Sequence, residues 1–162
     1  ALNLAIEGLV AARRAAGRAT AIAFSRIEHA ASREPIEALS ASGHPSFALR
    51  SDEQGRLELD AIDEVLQRAR ATGQPIGVLS LMLAHHELGN VYQVAALAER
   101  ARSLEPGIAI VCDAIAAYGK LPIAWRELGV DILAVSGHKV CAPAGAAALI
   151  HDSALELVPR MR

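Results

Sequence analysis

The sequence predicts an α/β fold with a mostly parallel sheet flanked by helices. Short apolar runs alternate with amphipathic segments of about 10 to 15 residues, a pattern typical of βαβ units. Several of these runs are apolar throughout, as in strands that are buried on both faces of a parallel sheet. The 162 residues are 52% hydrophobic and 21% charged, which suits a globular domain with a sizeable core. Because no repeat or linker divides the chain, we predict a single domain over residues 1–162.

The first elements are read from helical spacing and from capping residues. Apolar positions from Leu2 onward recur at helical spacing and indicate a helix over residues 2–16. A short buried strand is predicted over residues 20–25. Ser32 is the expected N-cap of the next helix, which tolerates Pro35 in its first turn.

The middle of the chain continues the alternation. Residues 47–49 are expected to form an edge strand, and residues 57–70 an amphipathic helix. Residues 76–83 make the most apolar strand candidate, and a further helix is predicted over residues 93–104.

The last third adds three strands and one helix. Buried strands are predicted over residues 108–112 and 132–135, and a final strand over residues 145–150. Ser153 is the expected cap of a helix over residues 154–162.

The bulk properties exclude several classes of partner. A net charge of −2 and a pI near 6.3 give no electrostatic footprint for nucleic acid or an anionic membrane. No apolar run approaches the roughly 18 residues that a membrane span needs, and no signal-peptide pattern is present. Cys112 and Cys141 form no disulfide framework, so a reducing cytoplasm is expected. The chain opens without methionine and within a helical pattern, which indicates a piece of a longer protein.

Polar residues follow four of the predicted strands at their carboxyl ends. They are His29, the cluster His85-His86-Glu87, Asp113, and the turn from Ser136 to Lys139. Ligands of open α/β sheets bind at this edge, so the four segments predict an active site. Lys139 can act there as an amine that forms a Schiff base, or it can be an ordinary solvated loop lysine.

These side chains could serve two kinds of site. A metal is disfavoured because the histidines have no metal-specific spacing, and because adjacent His85 and His86 on an extended segment should point to opposite sides. Pyridoxal phosphate (PLP) needs an amine, a carboxylate for its ring nitrogen, an aromatic cover and phosphate donors. These roles suit, in that order, Lys139, Asp113, His29 and the pair Ser136 and His138.

Four blocks of the sequence resemble a known family, the class V aminotransferase fold group. They are Ser-Arg-Ile-Glu-His at 25–29, His-His-Glu-Leu-Gly at 85–89, Cys-Asp-Ala-Ile-Ala-Ala-Tyr-Gly-Lys-Leu-Pro-Ile at 112–123, and Glu-Leu-Gly-Val-Asp-Ile-Leu-Ala-Val-Ser-Gly-His-Lys at 127–139. Within that group the likeness is greatest to the cysteine desulfurases. The resemblance implies the three-layer large domain of fold-type I PLP-dependent transferases. It also implies removal of sulfur from cysteine to give alanine and an enzyme persulfide, a homodimer, and a sulfur-acceptor protein.

The resemblance also implies a role for each site residue. Lys139 corresponds to the lysine that forms the Schiff base and moves protons, and Asp113 to the partner of the ring nitrogen. His29 corresponds to the histidine that stacks on the cofactor, while Ser136 and His138 correspond to phosphate donors. Each residue also has an ordinary structural interpretation, as a turn cap or a hydrogen-bonded histidine.

The sequence departs from the family pattern at several positions. His85, a candidate cofactor-binding residue, stands where relatives have an asparagine on the cofactor side; it can replace that donor, or the donor is lost at this position. Ala116 stands where a glutamine reaches the phenolic oxygen, and Ala144 replaces a lysine. Cys141 is expected to be a small buried thiol, and Cys112 an inert strand residue.

The resemblance covers only part of the family's length. The phosphate-binding turn of the family precedes Leu2, and its small domain, with the sulfur-accepting cysteine, follows the last residue. We therefore expect no turnover by this chain alone. Two alternatives stay open: another class V enzyme, such as a selenocysteine lyase, epimerase or aminotransferase, or a scaffold without catalysis.

Overall fold

The computed structural model describes residues 1–143 and 145–159, and it is built on one six-stranded sheet. The strands are β1 Ala21–Ser25, β2 Ser46–Leu49, β3 Ile76–Met82, β4 Ala109–Asp113, β5 Ile132–Ser136 and β6 Ala147–His151. Their order across the sheet is β2-β1-β3-β4-β5-β6. The first five run parallel, and β6 pairs antiparallel with β5. The predicted mostly parallel sheet is therefore confirmed, with β2 at its edge.

Helices cover both faces of the sheet. They are a π-helical segment Leu4–Gly8 continued by α1 Leu9–Ala15, then α2 Ala30–Ala41, α3 Leu59–Ala71 and α4 Val94–Leu104. One core cluster packs α3 and α4 against the sheet, and a second packs the first helix and Ile36 of α2 against the other face. The apolar runs of β1, β3, β4 and β5 are buried on both sides because these strands lie between the two layers, whereas the edge strands β2 and β6 are more exposed. The three-layer architecture is confirmed.

The register brings the carboxyl ends of four strands to one edge. Met82, the last residue of β3, pairs with Asp113 at the end of β4, and Asp113 pairs with Ala134 of β5. Ser25 ends β1 on the other side of β3. The loops that follow these strands therefore lie side by side.

The predicted start of α2 is wrong by several residues. His29, and not Ser32, is the N-cap, and its ring accepts a hydrogen bond from the backbone of Ala31. Pro35 is consequently inside the helix and not in its first turn. A histidine ring can cap because its unprotonated nitrogen accepts an N–H bond as a serine oxygen does.

The predicted C-terminal helix is also wrong where it can be compared. Residues 154–159 are not helical, and residues 160–162, like Ala144, lie outside the described part of the chain. Leu155 and Leu157 instead pack against the core beside the first helix, with the exposed Glu156 between them. Their spacing of two is that of an extended segment, and Val158 N donates to Gly8 O at 3.1 Å.

Among the described residues, no helix combines the length and apolarity needed to cross a bilayer.

Candidate active site

A cavity of about 150 Å³ opens at the carboxyl edge of the sheet. It is lined by His29, Ala31, Met82, Ala84, His86, Asp113, Ile115, Ala116, His138 and Lys139. These residues come from the segments that follow β1, β3, β4 and β5. Four separate parts of the sequence thus meet at one place, as the strand-end rule predicts.

Asp113 ends β4 and forms the acidic wall of the cavity. It is 6% exposed. Its Oδ1 accepts a hydrogen bond from the backbone N of Ile115 at 2.8 Å, which fixes the carboxyl group. Burial raises the pKa of Asp113, while the Ile115 bond and the neighbouring His29 and His86 act against that rise. A cation in the cavity would further stabilise the ionised carboxylate.

His29 is held in place by its role as the cap of α2. Its Nδ1 accepts from Ala31 N at 3.0 Å, so the neutral ring carries its proton on Nε2. The ring meets that of His86 edge to face, with centroids 4.7 Å apart and planes at 71°. The ring orientation is therefore set by a backbone bond on one side and by an aromatic contact on the other.

His86, and not His85, lines the cavity. His85 is 8% exposed, and its Nδ1 accepts from the backbone N of Glu87 and Leu88, both at 3.1 Å. The chain turns there, and the two rings stack 4.8 Å apart with planes at 9°. The expectation that they point to opposite sides is therefore wrong. His85 supports the ring of His86 and does not contact the cavity itself.

A signal for His86 was present in the sequence. Met82, Ala84 and His86 all line the cavity, and they are spaced by two as on one face of a strand. Continuing the alternation of β3 past its end selects the even-numbered histidine. Burial, followed by the charges of His29 and His85, lowers the pKa of His86, which favours its neutral form.

The segment after β5 supplies the amine. Ser136 ends the strand and is followed by a one-turn 3₁₀ helix, Gly137–Val140, that carries His138 and Lys139. Lys139 is exposed and lies on the cavity wall. The turn stands at the open rim of the cavity, so the Lys139 amine is solvated as well as placed on the cavity wall.

Ser136 and His138 form a hydrogen-bonded pair that borders two neighbouring cavities. Ser136 Oγ and His138 Nδ1 are 2.7 Å apart. His138 lines the first cavity, and Ser136 lines a second of about 680 Å³ that shares Ala31 and Ile115 with the first. An elongated ligand with a ring in the smaller cavity could extend its polar end toward this pair.

Ala116 and the two cysteines complete the description of the site and its neighbourhood. Ala116 lines the cavity and presents a methyl group where a hydrogen-bond donor would tune a ligand. Cys141 is exposed, contrary to expectation, because it caps the 3₁₀ turn in a left-handed conformation with φ 59°. Cys112 is fully buried within β4, and burial raises the pKa of its thiol, which agrees with the prediction of an inert strand residue.

The donor set fits PLP better than a metal ion. Within the described ranges, no three His, Cys, Asp or Glu side chains are grouped to hold a metal. An amine, a buried carboxylate and an imidazole that is edge-on to a second imidazole instead surround one small cavity. These are the groups that an aromatic aldehyde with a basic ring nitrogen requires.

Comparison with known proteins identifies the family. The model of the family described as "Aminotransferase class-V" matches residues 1–161. The chain belongs to the class-V aminotransferase family. The fold and family implied by the sequence blocks are thereby confirmed, and cysteine desulfurases of this family depend on PLP.

Class-V relatives resemble the chain over nearly its whole length. Cysteine desulfurase IscS of Dictyoglomus turgidum is 31% identical over 147 residues, which covers 91% of this chain and 35% of the relative. A solved NifS-like protein shares the fold with a TM-score of 0.89 at 21% identity, covering 99% of this chain and 42% of its own. SspA, solved in complex with cysteine, has a TM-score of 0.85 at 26% identity; the match covers 99% of this chain and 44% of the SspA chain. The chain thus spans about a third of the curated relative.

Proposed function

We propose that this chain is the cofactor-binding core of a PLP-dependent enzyme of the cysteine desulfurase type. The observation that carries the proposal is that Lys139, Asp113 and His29, each from a different element, line one cavity. When bound, PLP supplies an electron sink for negative charge at the α-carbon of an amino acid. The residues of this chain bind the group, orient it and move protons.

Each residue has a proposed task. The Lys139 amine attaches the cofactor covalently and carries protons to and from the substrate. The Asp113 carboxylate keeps the ring nitrogen protonated by charge attraction. His29 covers the ring, and Ser136 with His138 donates to the phosphate. His86 presents a second imidazole on the cavity wall, and His85 acts only by stacking on the ring of His86.

The proposed substrate is cysteine. In the proposed reaction the carbon–sulfur bond breaks, the sulfur passes to a thiol as a persulfide, and the carbon skeleton takes up a proton to become alanine. The likeness to SspA, whose structure contains cysteine, supports this choice. Of the two described thiols, Cys112 is buried, and Cys141 lies only two residues from Lys139. We propose that a thiol farther from Lys139 along the chain accepts the sulfur. We also propose that the protein acts as a homodimer and passes the sulfur to an acceptor protein.

Absorption spectroscopy tests the proposal. The chain is mixed with PLP and compared with Lys139→Ala and with Lys120→Arg, a matched control at an exposed turn lysine. We expect a weak visible band for the wild type and for Lys120→Arg, and none for Lys139→Ala. A band of equal strength in all three, or in none, contradicts PLP binding at this site.

Addition of cysteine separates the desulfurase from other chemistry. We expect no sulfide release from this chain alone, because neither described thiol is placed as a mobile acceptor. A change in the visible band on adding cysteine, but not on adding alanine, supports a cysteine site. A response to other amino acids but not to cysteine favours a different class-V enzyme.

A further inference from the structure

Glu28 is a buried acid that lies outside the cavity lining. It follows the end of β1 by three residues and is 4% exposed. Its Oε2 accepts a hydrogen bond from Ser80 Oγ of β3 at 2.7 Å, and its Oε1 accepts from the backbone N of Ser25 at 3.2 Å. No ion pair between described residues includes Glu28. The carboxyl group therefore has hydrogen-bond partners but no cation.

This environment favours the neutral acid. A buried carboxylate without a cation is costly, whereas a protonated carboxyl can donate to Ser80, whose hydroxyl accepts as well as donates. Burial is the largest of the causes that raise the pKa of Glu28 to about 7, and the charge of Asp113 acts in the same direction. The hydrogen bonds from Ser80 and Ser25 act against the rise.

Glu28 is coupled to the acid of the cavity. Ser80 lies two residues before Met82, which pairs in register with Asp113. Ser32 of α2 is fully buried, and its Oγ makes no hydrogen bond of standard geometry with the described residues. It nevertheless lies close enough to both carboxyl groups to lower the pKa of each.

Among the residues that the structure describes, none of the groups that act on Glu28 is a cation. The polar and titratable groups that face it from the neighbouring elements are Ser25, Ser32, Ser80, Tyr92, Cys112 and Asp113. Two acids in such a place cannot both be ionised without a large electrostatic cost.

We propose that Glu28 is a positioning residue of this site: as a neutral acid bound to Ser80, it leaves the single negative charge beside the cavity on Asp113. The assignment rests on the proposed role of Asp113 as the partner of a protonated ring nitrogen. Asp113 is the better place for the charge, because it lines the cavity and has the Ile115 N–H as a donor. Glu28 thus acts on the cofactor only through Asp113.

The proposal has a definite dependence on pH. Below neutral pH, Glu28 holds its proton and Asp113 carries the charge. As Glu28 ionises with rising pH, a second negative charge appears next to Asp113 and strengthens the attraction for a ring cation in the cavity. The attraction of the cavity for a ring cation should therefore change near neutral pH. The group that titrates, Glu28, lies outside the cavity.

Carboxyl NMR on the chain without cofactor tests the assignment directly. Protein labelled with ¹³C at glutamate and aspartate carboxyls is titrated for the wild type, Glu28→Gln and Asp113→Asn. We expect one glutamate signal with a midpoint near neutral pH that is missing in Glu28→Gln and moves to lower pH in Asp113→Asn. The Asp113 signal should titrate at the same pH in the wild type and in Glu28→Gln, because Glu28 is neutral while Asp113 ionises.

A large fall in the Asp113 midpoint on Glu28→Gln would overturn the proposal, since it would mean that Glu28 is the ionised member of the pair. The absence of any glutamate midpoint near neutral pH would do the same. Should Glu28→Gln fail to fold, the wild type and Asp113→Asn decide the assignment. The near-neutral glutamate midpoint must be present in the wild type and must move to lower pH in Asp113→Asn, and an unchanged midpoint counts against the assignment.

The visible band with PLP gives the functional readout. The intensity of the visible band should change with pH near neutrality in the wild type, and no such change should appear in Glu28→Gln. A purely structural Glu28 would weaken the fold but give identical profiles, which contradicts the positioning role. The NMR titrations use no cofactor, so they decide the state of Glu28 even if no band forms and the proposed function fails.

Discussion

Single side chains in this protein link the chemistry of the site to the stability of the fold, and Glu28 is the clearest case. Its ordinary pKa of 4.5 rises to about 7 in the folded chain, mainly through burial. Between these two values the folded chain keeps a proton that the unfolded chain releases. The stabilising contribution of the neutral acid is thus complete below pH 4.5 and is lost as pH rises through about 7.

Glu28→Gln should remove this dependence on pH. Relative to the variant, the wild type should lose about 3 kcal/mol of unfolding free energy as pH rises across the window, with no further change above it. Urea unfolding at several pH values measures the difference. Glu37→Gln, at an exposed helical ion pair, is the control and should show no such drift. A constant difference between wild type and Glu28→Gln would mean that Glu28 is ionised throughout.

At the scale of elements, close backbone contacts decide where strands can lie. Gly77, near the start of β3, packs so tightly beside the backbone that leads into β1 that an added Cβ would overlap the carbonyl oxygen of Ala19. Backbone cannot yield as a flexible side chain can. Gly77→Ala should therefore cost about 2 to 3 kcal/mol of unfolding free energy.

Gly107→Ala is the matched control for this change. A Cβ at Gly107 meets nothing within 4 Å, so chemical denaturation should show little loss. Equal destabilisation by the two substitutions would show that the contact with Ala19 is not what requires glycine at position 77.

Asp131, directly before β5, links α4 to β4 at the amino edge of the sheet. Its Oδ2 accepts from Arg102 of α4 and from the backbone N of Ile110 in β4, both at 2.7 Å. Asp131→Ala should cost about 2 kcal/mol, because it leaves the buried Ile110 N–H without its partner. Asp63→Ala, which removes an exposed pair with Arg100, should change thermal or denaturant unfolding little. The reverse order would contradict this role for Asp131.

The elements that the sequence predicted best are those with strong patterns. The strands were placed within about two residues, because apolar runs buried on both faces leave little choice. The start of α2 was missed because a histidine cap has no common signature, and the last helix failed because Leu155 and Leu157 found core contacts in an extended segment. Tertiary packing overrode local propensity there.

At the scale of the whole molecule, the site exists only because the parallel register aligns four strand ends. The grouping of His29, Asp113, His138 and Lys139 could be predicted from chain position alone, because each lies at the carboxyl end of a strand or within four residues after it. The two-residue alternation of β3 also selects His86, but the position of His85 depended on a turn in which its ring accepts two backbone N–H groups. The coupling of Glu28 to Asp113 could not be predicted from the sequence, because it depends on tertiary contacts among β1, β3 and α2.

Covalent trapping is the measurement that tests the central claim most directly. The chain has only two lysines, Lys120 and Lys139, so PLP followed by borohydride reduction and peptide mapping gives an unambiguous answer. We predict modification of Lys139 in the wild type and in Lys120→Arg, and its loss in Lys139→Arg. Modification at Lys120 or at the amino terminus, with Lys139 unlabelled, would contradict the assignment of this cavity as the cofactor site.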